Sequence, residues 1–326
     1  MPPWAFRRRR SVRRANPRWR RPRIRSRGTG CTSSPSTCRA RPCSPATTSS
    51  TWRASNWPGT TVFSTVPGRR AAVLGSPISH SRSPDIHLAA YRELGLTSWT
   101  YDRIECTAEQ LPALVAGLGP EWVGLSVTMP NKFAALAVAS ERTARATLVG
   151  SANTLVRTAT GWRADNTDID GVIGALDDVR GARAAVLGSG GTAPAAAVAL
   201  AALGVTDIAV LARNPERAQP LVALAEPLGV GIRWVELGTP VDVDVAVNTL
   251  PADIAAGYAH TIENVPVLLD AIYDPWPTPL ASAVQARGGR VISGLQMLLH
   301  QAVAQVEQFT GMPAPEEVMR RALPGS

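Results

Sequence analysis

The chain has 326 residues, which is enough for two ordinary domains. Hydrophobic residues make up 45% of it, and no apolar run is long enough to cross a bilayer, so the composition excludes a membrane span. The formal net charge of +9 is unevenly distributed, because residues 1–68 hold 15 arginines and no acidic residue. The other residues therefore carry 19 basic side chains against all 25 acidic ones. The basic pI says nothing about what this larger part binds.

Residues 1–68 form a basic leader that is rich in Arg, Pro and Ser and has no helical or alternating apolar period. Such a segment cannot bury enough apolar surface to offset its ordering entropy, so we expect it to be disordered. A leader of this composition resembles an organellar transit peptide, and a basic arm can also bind nucleic acid. The interpretation we favour is that the leader is not part of the natural protein, which would then start near Val66.

Cysteine and histidine usage bounds the chemistry of the rest of the chain. Cys106 is its single cysteine and cannot form a disulfide within it, which is typical of a reduced, cytoplasmic protein. The four histidines are His80, His87, His260 and His300, and their spacing matches no metal-ligand motif. We therefore expect no metal site.

After the leader, apolar runs bounded by turn residues alternate with helical patterns. The predicted strands cover residues 71–74, 99–104, 124–127, 154–157, 184–187, 207–212, 243–248, 267–272 and 290–292. The predicted helices include residues 83–94, 108–118, 131–140, 192–203 and 215–228. Such alternation predicts an α/β fold with parallel or mostly parallel sheets, and the length requires two of them. We expect the hinge between the two halves at residues 168–176.

The first half begins with a strand, a polar loop and a helix, in residues 75–87 (GSPISHSRSPDIH). Ser83 followed by Pro84 is typical of a helix N-cap and first turn. Capping of this helix would by itself account for a serine at position 83. Two hydroxyls near a helix N-terminus also make a small anion site that suits a carboxylate.

Lys132 is the only lysine in the chain, against 33 arginines, and it ends the segment 126–132 (SVTMPNK) directly after a predicted strand. An ammonium can give up a proton in a partly buried site, whereas a guanidinium effectively cannot, so acid–base chemistry would select lysine. The alternative is a surface lysine retained by chance.

The second half opens with a strand, a glycine-rich turn at residues 188–193 (GSGGTA) and an Ala-rich helix. This pattern is typical of dinucleotide binding, because the glycines let the backbone approach a pyrophosphate at the helix N-terminus. The next strand is followed by Arg213 and Arg217, where an NAD enzyme would carry an acidic residue. Guanidiniums there favour a 2′-phosphate and hence NADP, unless they belong only to a solvated turn.

Six ordered blocks of the chain from about residue 70 onward together resemble the shikimate dehydrogenase family. They are the segment 75–87, the segment 126–132, the pair 153–154 (NT) with 165–168 (DNTD), the glycine-rich turn, 270–275 (DAIYDP) with 278–280 (TPL), and 294–301 (GLQMLLHQ). Departures from the family pattern are Ser76 and Ser126 in place of Asn, Asn131 in place of an aromatic residue, and Pro194 where many members have Arg. Because of Pro194, the part of the cofactor site that would bind the phosphates matches the family pattern least well.

The resemblance implies NADP-dependent interconversion of 3-dehydroshikimate and shikimate, in the pathway to chorismate and the aromatic amino acids. The catalytic pair would be Lys132 and Asp168, with Lys132 donating a proton to the developing C3 alkoxide. The substrate-binding residues would be Ser81 and Ser83 with Tyr273 at the carboxylate, and Thr128, Asn153 and Gln301 at the ring hydroxyls. The cofactor-binding residues would be Gly188, Ser189, Gly190, Gly191, Thr192, Ala193, Arg213, Arg217, Asn248, Thr249, Gly294 and Met297.

The domains expected on this basis are a substrate-binding domain at 69–168, a Rossmann-type NADP-binding domain at 169–290, and C-terminal helices at 291–326 that pack back on the first domain. Two other functions remain open. One is a quinate/shikimate dehydrogenase that prefers NAD, and the other is a nucleic-acid-binding protein that acts through its leader. For the folded part we expect a small-molecule substrate and neither a nucleic acid nor a membrane as partner.

Overall fold

The computed structural model describes residues 68–324. The expectation of a disordered leader falls on residues outside this range, apart from Gly68. The described residues form two six-stranded sheets, each flanked by helices. The chain therefore has the expected α/β architecture built on two sheets.

The first sheet is formed by residues 70–165. Its strands are β1 (Arg70–Gly75), β2 (Thr100–Glu105), β3 (Trp122–Val127), β4 (Glu141–Arg142), β5 (Thr154–Thr158) and β6 (Gly161–Asp165), in the order β2-β1-β3-β5-β6-β4. Its helices are α1 (Ser83–Glu93), α2 (Leu111–Ala116), α3 (Lys132–Val138) and α4 (Ala144–Val149). The expected parallel pairing is confirmed except at β5, which is antiparallel to both neighbours. A two-residue turn joins β5 to β6, so these strands form a hairpin that the sequence analysis missed.

The second sheet is entirely parallel. Its strands are β7 (Arg183–Leu187), β8 (Asp207–Ala212), β9 (Gly231–Glu236), β10 (Val245–Asn248), β11 (Val267–Asp270) and β12 (Arg290–Ser293), in the order β12-β11-β10-β7-β8-β9. This is the strand order of the Rossmann fold, whose ligands bind beyond the carboxyl ends of the central strands, here β7 and β10. Because β12 runs to Ser293, the sheet extends slightly past the boundary expected at residue 290.

The remaining helices flank this sheet or return to the first one. They are α5 (Asp168–Ala175), α6 (Ala193–Ala202), α7 (Pro215–Val222), α8 (Ala225–Leu228), α9 (Ala252–Ala256), α10 (Pro279–Ala286), α11 (Gly294–Thr310) and α12 (Glu316–Arg321), with a 3-10 helix at Ala259–Ile262. The segment expected as the hinge is thus helix α5, and the helix predicted over 215–228 is two short helices. None of the helices in residues 68–324 is long and apolar enough to cross a membrane.

Two helices position the site. Helix α6 is buried along its first eight residues and packs beside α5, because alanine side chains allow close approach. Helix α11 packs on α5 and α1 and reaches the first sheet, where the ring of Phe309 occupies the space beside Gly124 that any Cβ would need. Helix α11 therefore brings a segment of the second half to the first sheet, whereas α6 packs against the helices α4 and α5.

Candidate active site

A cavity of about 130 Å³ lies among β1, β3, α3 and α5 on one side and the glycine-rich turn and α11 on the other. Ten of the residues expected in the site line it: Ser81, Ser83, Thr128, Lys132, Asp168, Thr192, Tyr273, Gly294, Met297 and Gln301. They come from segments more than 200 positions apart in the chain, between Ser81 and Gln301. The fold thus gathers nearly all the expected substrate-site residues in one place.

Lys132 and Asp168 form a buried ion pair in this cavity. Each begins a helix just after a strand of the first sheet, Lys132 at the start of α3 and Asp168 at the start of α5. Lys132 Nζ lies 2.5 Å from Asp168 Oδ2, and the two side chains are 11% and 3% exposed. The second carboxylate oxygen, Oδ1, accepts a hydrogen bond from Asn153 Nδ2 at 2.9 Å. Both oxygens of Asp168 are therefore engaged, which fixes the carboxylate against the ammonium.

A cluster of charges fixes the corner between β6 and α5 that carries Asp168. Arg145 donates to Asp165 from Nε at 2.7 Å and from Nη2 at 2.5 Å, and from Nη1 to Asp170 at 2.6 Å. Gln308 of α11 also donates to Asp165. Burial alone would raise the pKa of Asp165, but the hydrogen bonds and charge of Arg145 outweigh it and hold this pKa at about 2. Asp165 is therefore a carboxylate at neutral pH.

Ser81 and Ser83 stand at the N-terminus of α1, where free backbone N–H groups and the helix dipole favour an anion. Both side chains are buried. The helix begins at Ser83 and its N-cap is Arg82, so the assignment of Ser83 as N-cap is wrong by one residue, and the Ser83 amide instead donates to Ser81 Oγ. Arg103 holds the loop by donating twice to the Ser81 carbonyl, at 2.6 and 2.9 Å. This end of the cavity suits a carboxylate.

Tyr273 closes the same end from the loop that follows β11. Burial raises the pKa of its phenol above the ordinary value, so the hydroxyl remains protonated at neutral pH. Asp270, fully buried at the end of β11, anchors this loop by accepting hydrogen bonds from Thr278 Oγ1 and the Ile272 amide. Tyr273 is thus a fixed hydrogen-bond donor rather than a charged group.

Asn153 lies behind the cavity rather than on its lining. Its side chain is 1% exposed, and its amide nitrogen lies 2.6 Å from Gln301 Oε1 as well as near Asp168. Gln301 does line the cavity. Asn153 therefore orients two residues that face a ligand.

Three polar residues of the cavity were missed by the sequence analysis, His80, Ser126 and Gln305. Ser126 Oγ donates to Gln305 Oε1 at 2.7 Å and accepts from the Tyr101 hydroxyl at 2.6 Å. The positions of Ser126 and Gln305 follow from simple periodicities. Ser126 on β3 precedes Thr128, the first residue after this strand, by two positions, and Gln305 follows Gln301 by one helical turn.

A second cavity, of about 530 Å³, lies beyond the carboxyl ends of β7, β8 and β10. The expected cofactor-binding residues that line it are Gly188, Ser189, Gly190, Arg213, Arg217 and Thr249. Gly188 has φ +105°, and a Cβ there would lie 2.6 Å from Thr249 Oγ1, so only glycine fits. A glycine cradle, the N-terminus of α6 and two guanidiniums together match the phosphates of NADP. Asn214 caps α7 by accepting from the Arg217 amide, which places Arg217 one turn from Arg213.

Three expected cofactor residues line neither of these two cavities: Gly191, Ala193 and Asn248. Asn248 is fully buried, and its amide nitrogen donates to the Leu250 carbonyl and to Asp270 Oδ1. In this arrangement the side chain of Asn248 lines neither cavity, and its role in cofactor binding stays a prediction. The side chain fixes the backbone beside Thr249. Among residues 68–324, no group of three His, Cys, Asp or Glu side chains could hold a metal ion.

Comparison with known proteins identifies the family. The model of the shikimate dehydrogenase substrate binding domain matches residues 73–155, and that of the shikimate 5'-dehydrogenase C-terminal domain matches residues 294–323. A shikimate dehydrogenase (NADP(+)) of Microcystis aeruginosa is 36% identical over 276 residues, which cover 77% of this chain and 94% of the relative. The chain belongs to the shikimate dehydrogenase family.

Solved structures of shikimate dehydrogenases share the fold. The Mycobacterium tuberculosis shikimate dehydrogenase is 66% identical, with a TM-score of 0.74, over 78% of this chain and 98% of that one. A shikimate 5-dehydrogenase of Thermus thermophilus, solved in complex with NADP(H) and shikimate, is 32% identical, with a TM-score of 0.66, over 78% of this chain and all of that one. The expected fold and family are thus confirmed.

The matched shikimate dehydrogenase segments contain much of the first cavity. Ser81, Ser83, Thr128 and Lys132 fall within residues 73–155, and Gly294, Met297 and Gln301 within residues 294–323. The substrate end of the site is therefore built by segments that carry the family pattern.

Proposed function

We propose that the protein is an NADP-dependent shikimate dehydrogenase that interconverts 3-dehydroshikimate and shikimate in the pathway to chorismate and the aromatic amino acids. The observation that carries this proposal is the buried Lys132–Asp168 pair, which faces a cavity with an anion site at one end and the glycine-rich turn at the other. A small hydroxy acid fits this arrangement, because it needs both a carboxylate site and a proton donor. The buried, free Cys106 also supports a cytoplasmic location.

The substrate is oriented by its carboxylate. Ser81 and Ser83 offer hydroxyls beside the N-terminus of α1, and the Tyr273 hydroxyl completes this end of the cavity. Thr128, Gln301 and Ser126 contact the ring hydroxyls, and Gln305 orients Ser126 by accepting its hydrogen bond. Since Ser126 already donates its proton to Gln305, it presents a lone pair to the cavity and accepts from a substrate hydroxyl.

Lys132 is the proton donor in the direction of reduction. NADPH, when bound, supplies the hydride that reduces the keto carbon of 3-dehydroshikimate. Lys132 transfers one N–H proton to the developing alkoxide, so that hydride and proton together convert the ketone to the alcohol. Asp168 holds the ammonium in place through the hydrogen bond from Lys132 Nζ. In the oxidative direction the neutral amine takes the hydroxyl proton back.

The deciding experiment measures steady-state oxidation of shikimate and of quinate, each with NADP and with NAD. We expect the highest kcat/KM with shikimate and NADP. A preference for quinate and NAD would instead establish the quinate/shikimate dehydrogenase alternative. Binding to DNA that disappears on removal of the leader, in a protein with no dehydrogenase activity, would establish the nucleic-acid-binding alternative.

Cofactor preference depends on Arg213. Arg213→Ala should weaken NADP binding by about 1.5–3 kcal/mol, the contribution of a charge-assisted hydrogen bond to the 2′-phosphate, and should leave NAD binding nearly unchanged. Fluorescence titration with both cofactors measures the difference. Arg233→Ala, at an exposed arginine of the same domain, is the control and should change neither affinity. Equal losses for the two cofactors in Arg213→Ala would show that this arginine does not contact the 2′-phosphate.

A further inference from the structure

Thr192, in the glycine-rich turn of the second half, contacts the lysine of the first half. Lys132 Nζ donates to Thr192 Oγ1 at 2.8 Å, in addition to its bond to Asp168. Thr192 precedes α6 as its N-cap residue but makes no side-chain capping hydrogen bond. Its hydroxyl therefore serves the lysine and not the helix.

The turn is held against Lys132 at a neighbouring residue as well. Ser151 Oγ donates to the Gly191 carbonyl at 3.0 Å, and Asn166 Nδ2 lies 3.2 Å from the same Ser151 hydroxyl. A Cβ on Gly191 would lie 3.3 Å from Lys132 Cβ, so the glycine backbone packs closely on the lysine stem. The contact of Thr192 thus belongs to a docked segment that makes two hydrogen bonds to the first half, one at Gly191 and one at Thr192.

The hydrogen bond to Thr192 limits the number of N–H groups that Lys132 can offer to a ligand. An ammonium has three N–H donors, and within residues 68–324 two of them are taken by Asp168 Oδ2 and Thr192 Oγ1. One N–H is left for a ligand in the cavity that Lys132 lines. After this proton is transferred, the two remaining N–H groups still have their acceptors, so the new lone pair points at the same substrate oxygen.

We propose that Thr192 is a positioning residue for the proton donor and couples the cofactor-binding turn to Lys132. The proposal rests on the proposed function, since it assigns how the proton donor of that reaction is aimed. It also assigns Thr192 a task beyond the cofactor contact expected from the motif. If the glycine-rich turn moves away from Lys132, the ammonium loses Thr192 Oγ1, which is one of the two acceptors that orient it.

The first test is kinetic and uses Thr192→Val, which keeps the shape of the side chain, and Thr192→Ser, which keeps the hydroxyl. We expect Thr192→Val to lower kcat by about 10- to 100-fold, as small misplacements of reacting groups do, with little change in the dissociation constant of NADP. Thr192→Ser should recover most of the lost kcat. Thr206→Val, at an exposed threonine of the same domain, is the matched control and should keep the parental kcat. Parental turnover in Thr192→Val, or equal losses in the Val and Ser variants, would overturn the proposal.

The second test does not depend on turnover, because Lys132 is the only lysine in the chain. Labelling with ¹⁵N-lysine gives one Nζ resonance, which needs no assignment. We expect Thr192→Val to shift this resonance and to speed exchange of its protons with water, while Thr192→Ser and Thr206→Val leave it at the parental position. Coinciding signals in Thr192→Val and the parent would refute the hydrogen bond. If the parent fails to oxidise shikimate, the proposed function fails, and this spectrum still decides whether Thr192 orients the lysine.

Discussion

Lys132→Ala should lower kcat for shikimate oxidation by about 10²–10⁴-fold, the usual contribution of a general acid–base group, with a smaller effect on KM. The side chain lies on the cavity wall, only 11% exposed, and forms the ion pair with Asp168. Its loss removes the proton transfer and leaves Asp168 as a buried carboxylate without its cation. Steady-state rates at saturating NADP measure the effect, and the melting temperature checks that the variant is folded.

Lys132→Arg separates proton transfer from charge. An arginine keeps the positive charge beside Asp168 but cannot exchange a proton at neutral pH, so this variant should be nearly as slow as Lys132→Ala. Near-parental turnover in Lys132→Arg would make the lysine an orienting cation and would move the proton transfer to another group. The Ala variant alone could not distinguish these two roles.

Arg145→Met should reduce the free energy of unfolding by about 3 kcal/mol, as removal of one partner from a buried ion pair does. Arg145 is 19% exposed and Asp165 is 5% exposed, so methionine would fill the volume but leave the Asp165 carboxylate buried without a cation. Arg233→Met is the control, because its pair with Asp207 is exposed on both sides and should contribute little. Urea unfolding at neutral pH measures both variants. A loss in Arg145→Met no larger than in the control would show that the cluster does not stabilise the corner.

The difference in the free energy of unfolding between the parent and Arg145→Met should become smaller as the pH falls. In the parent protein the pKa of Asp165 is lowered from 3.8 to about 2, so its contribution to stability is present above about pH 4 and is lost as the pH falls towards 2. Without Arg145, burial is opposed only by the hydrogen bonds from Thr143, Gln308 and the Asn166 amide, so the pKa of Asp165 is higher than in the parent and less stability is lost as the pH falls. The free energies of unfolding of parent and variant should therefore converge between about pH 4 and about pH 2. A gap that widens in acid would contradict the assignment.

The strands could be predicted from the sequence where they are fully buried, because their residues are then continuously apolar. Strands such as β7 and β8 give continuous apolar runs because both faces are covered. Strand β9 was missed because it lies at the sheet edge and half of its residues are exposed. Strand β6 was missed because its turn has no Asn-Gly or similar signal and because its half-buried residues interrupt the apolar run.

The site was predictable where a residue belongs to a short motif. Ser81, Lys132 and Asp168 each lie in the segment that follows a strand of the first sheet, and all three line one cavity. Local patterns carry no information on contacts between segments, which is why the bond from Lys132 to Thr192 and the support of Asp165 by Arg145 required the structure. Asn248 is a further example, since its motif gave no sign that β10 would bury its side chain completely.

Helix α11 has a consequence for how the protein is made. It supplies Gln301 and Gln305 to the cavity, at separations of 148 and 179 positions from their partners Asn153 and Ser126, and it supplies Phe309 beside Gly124. A ribosome releases the first sheet well before this helix, so the nascent chain carries an uncovered apolar face while the second sheet is being translated. Long-range closure of this kind is slow relative to local folding. The face of the first sheet that Phe309 covers and the substrate cavity are therefore completed together, in the last stage of synthesis.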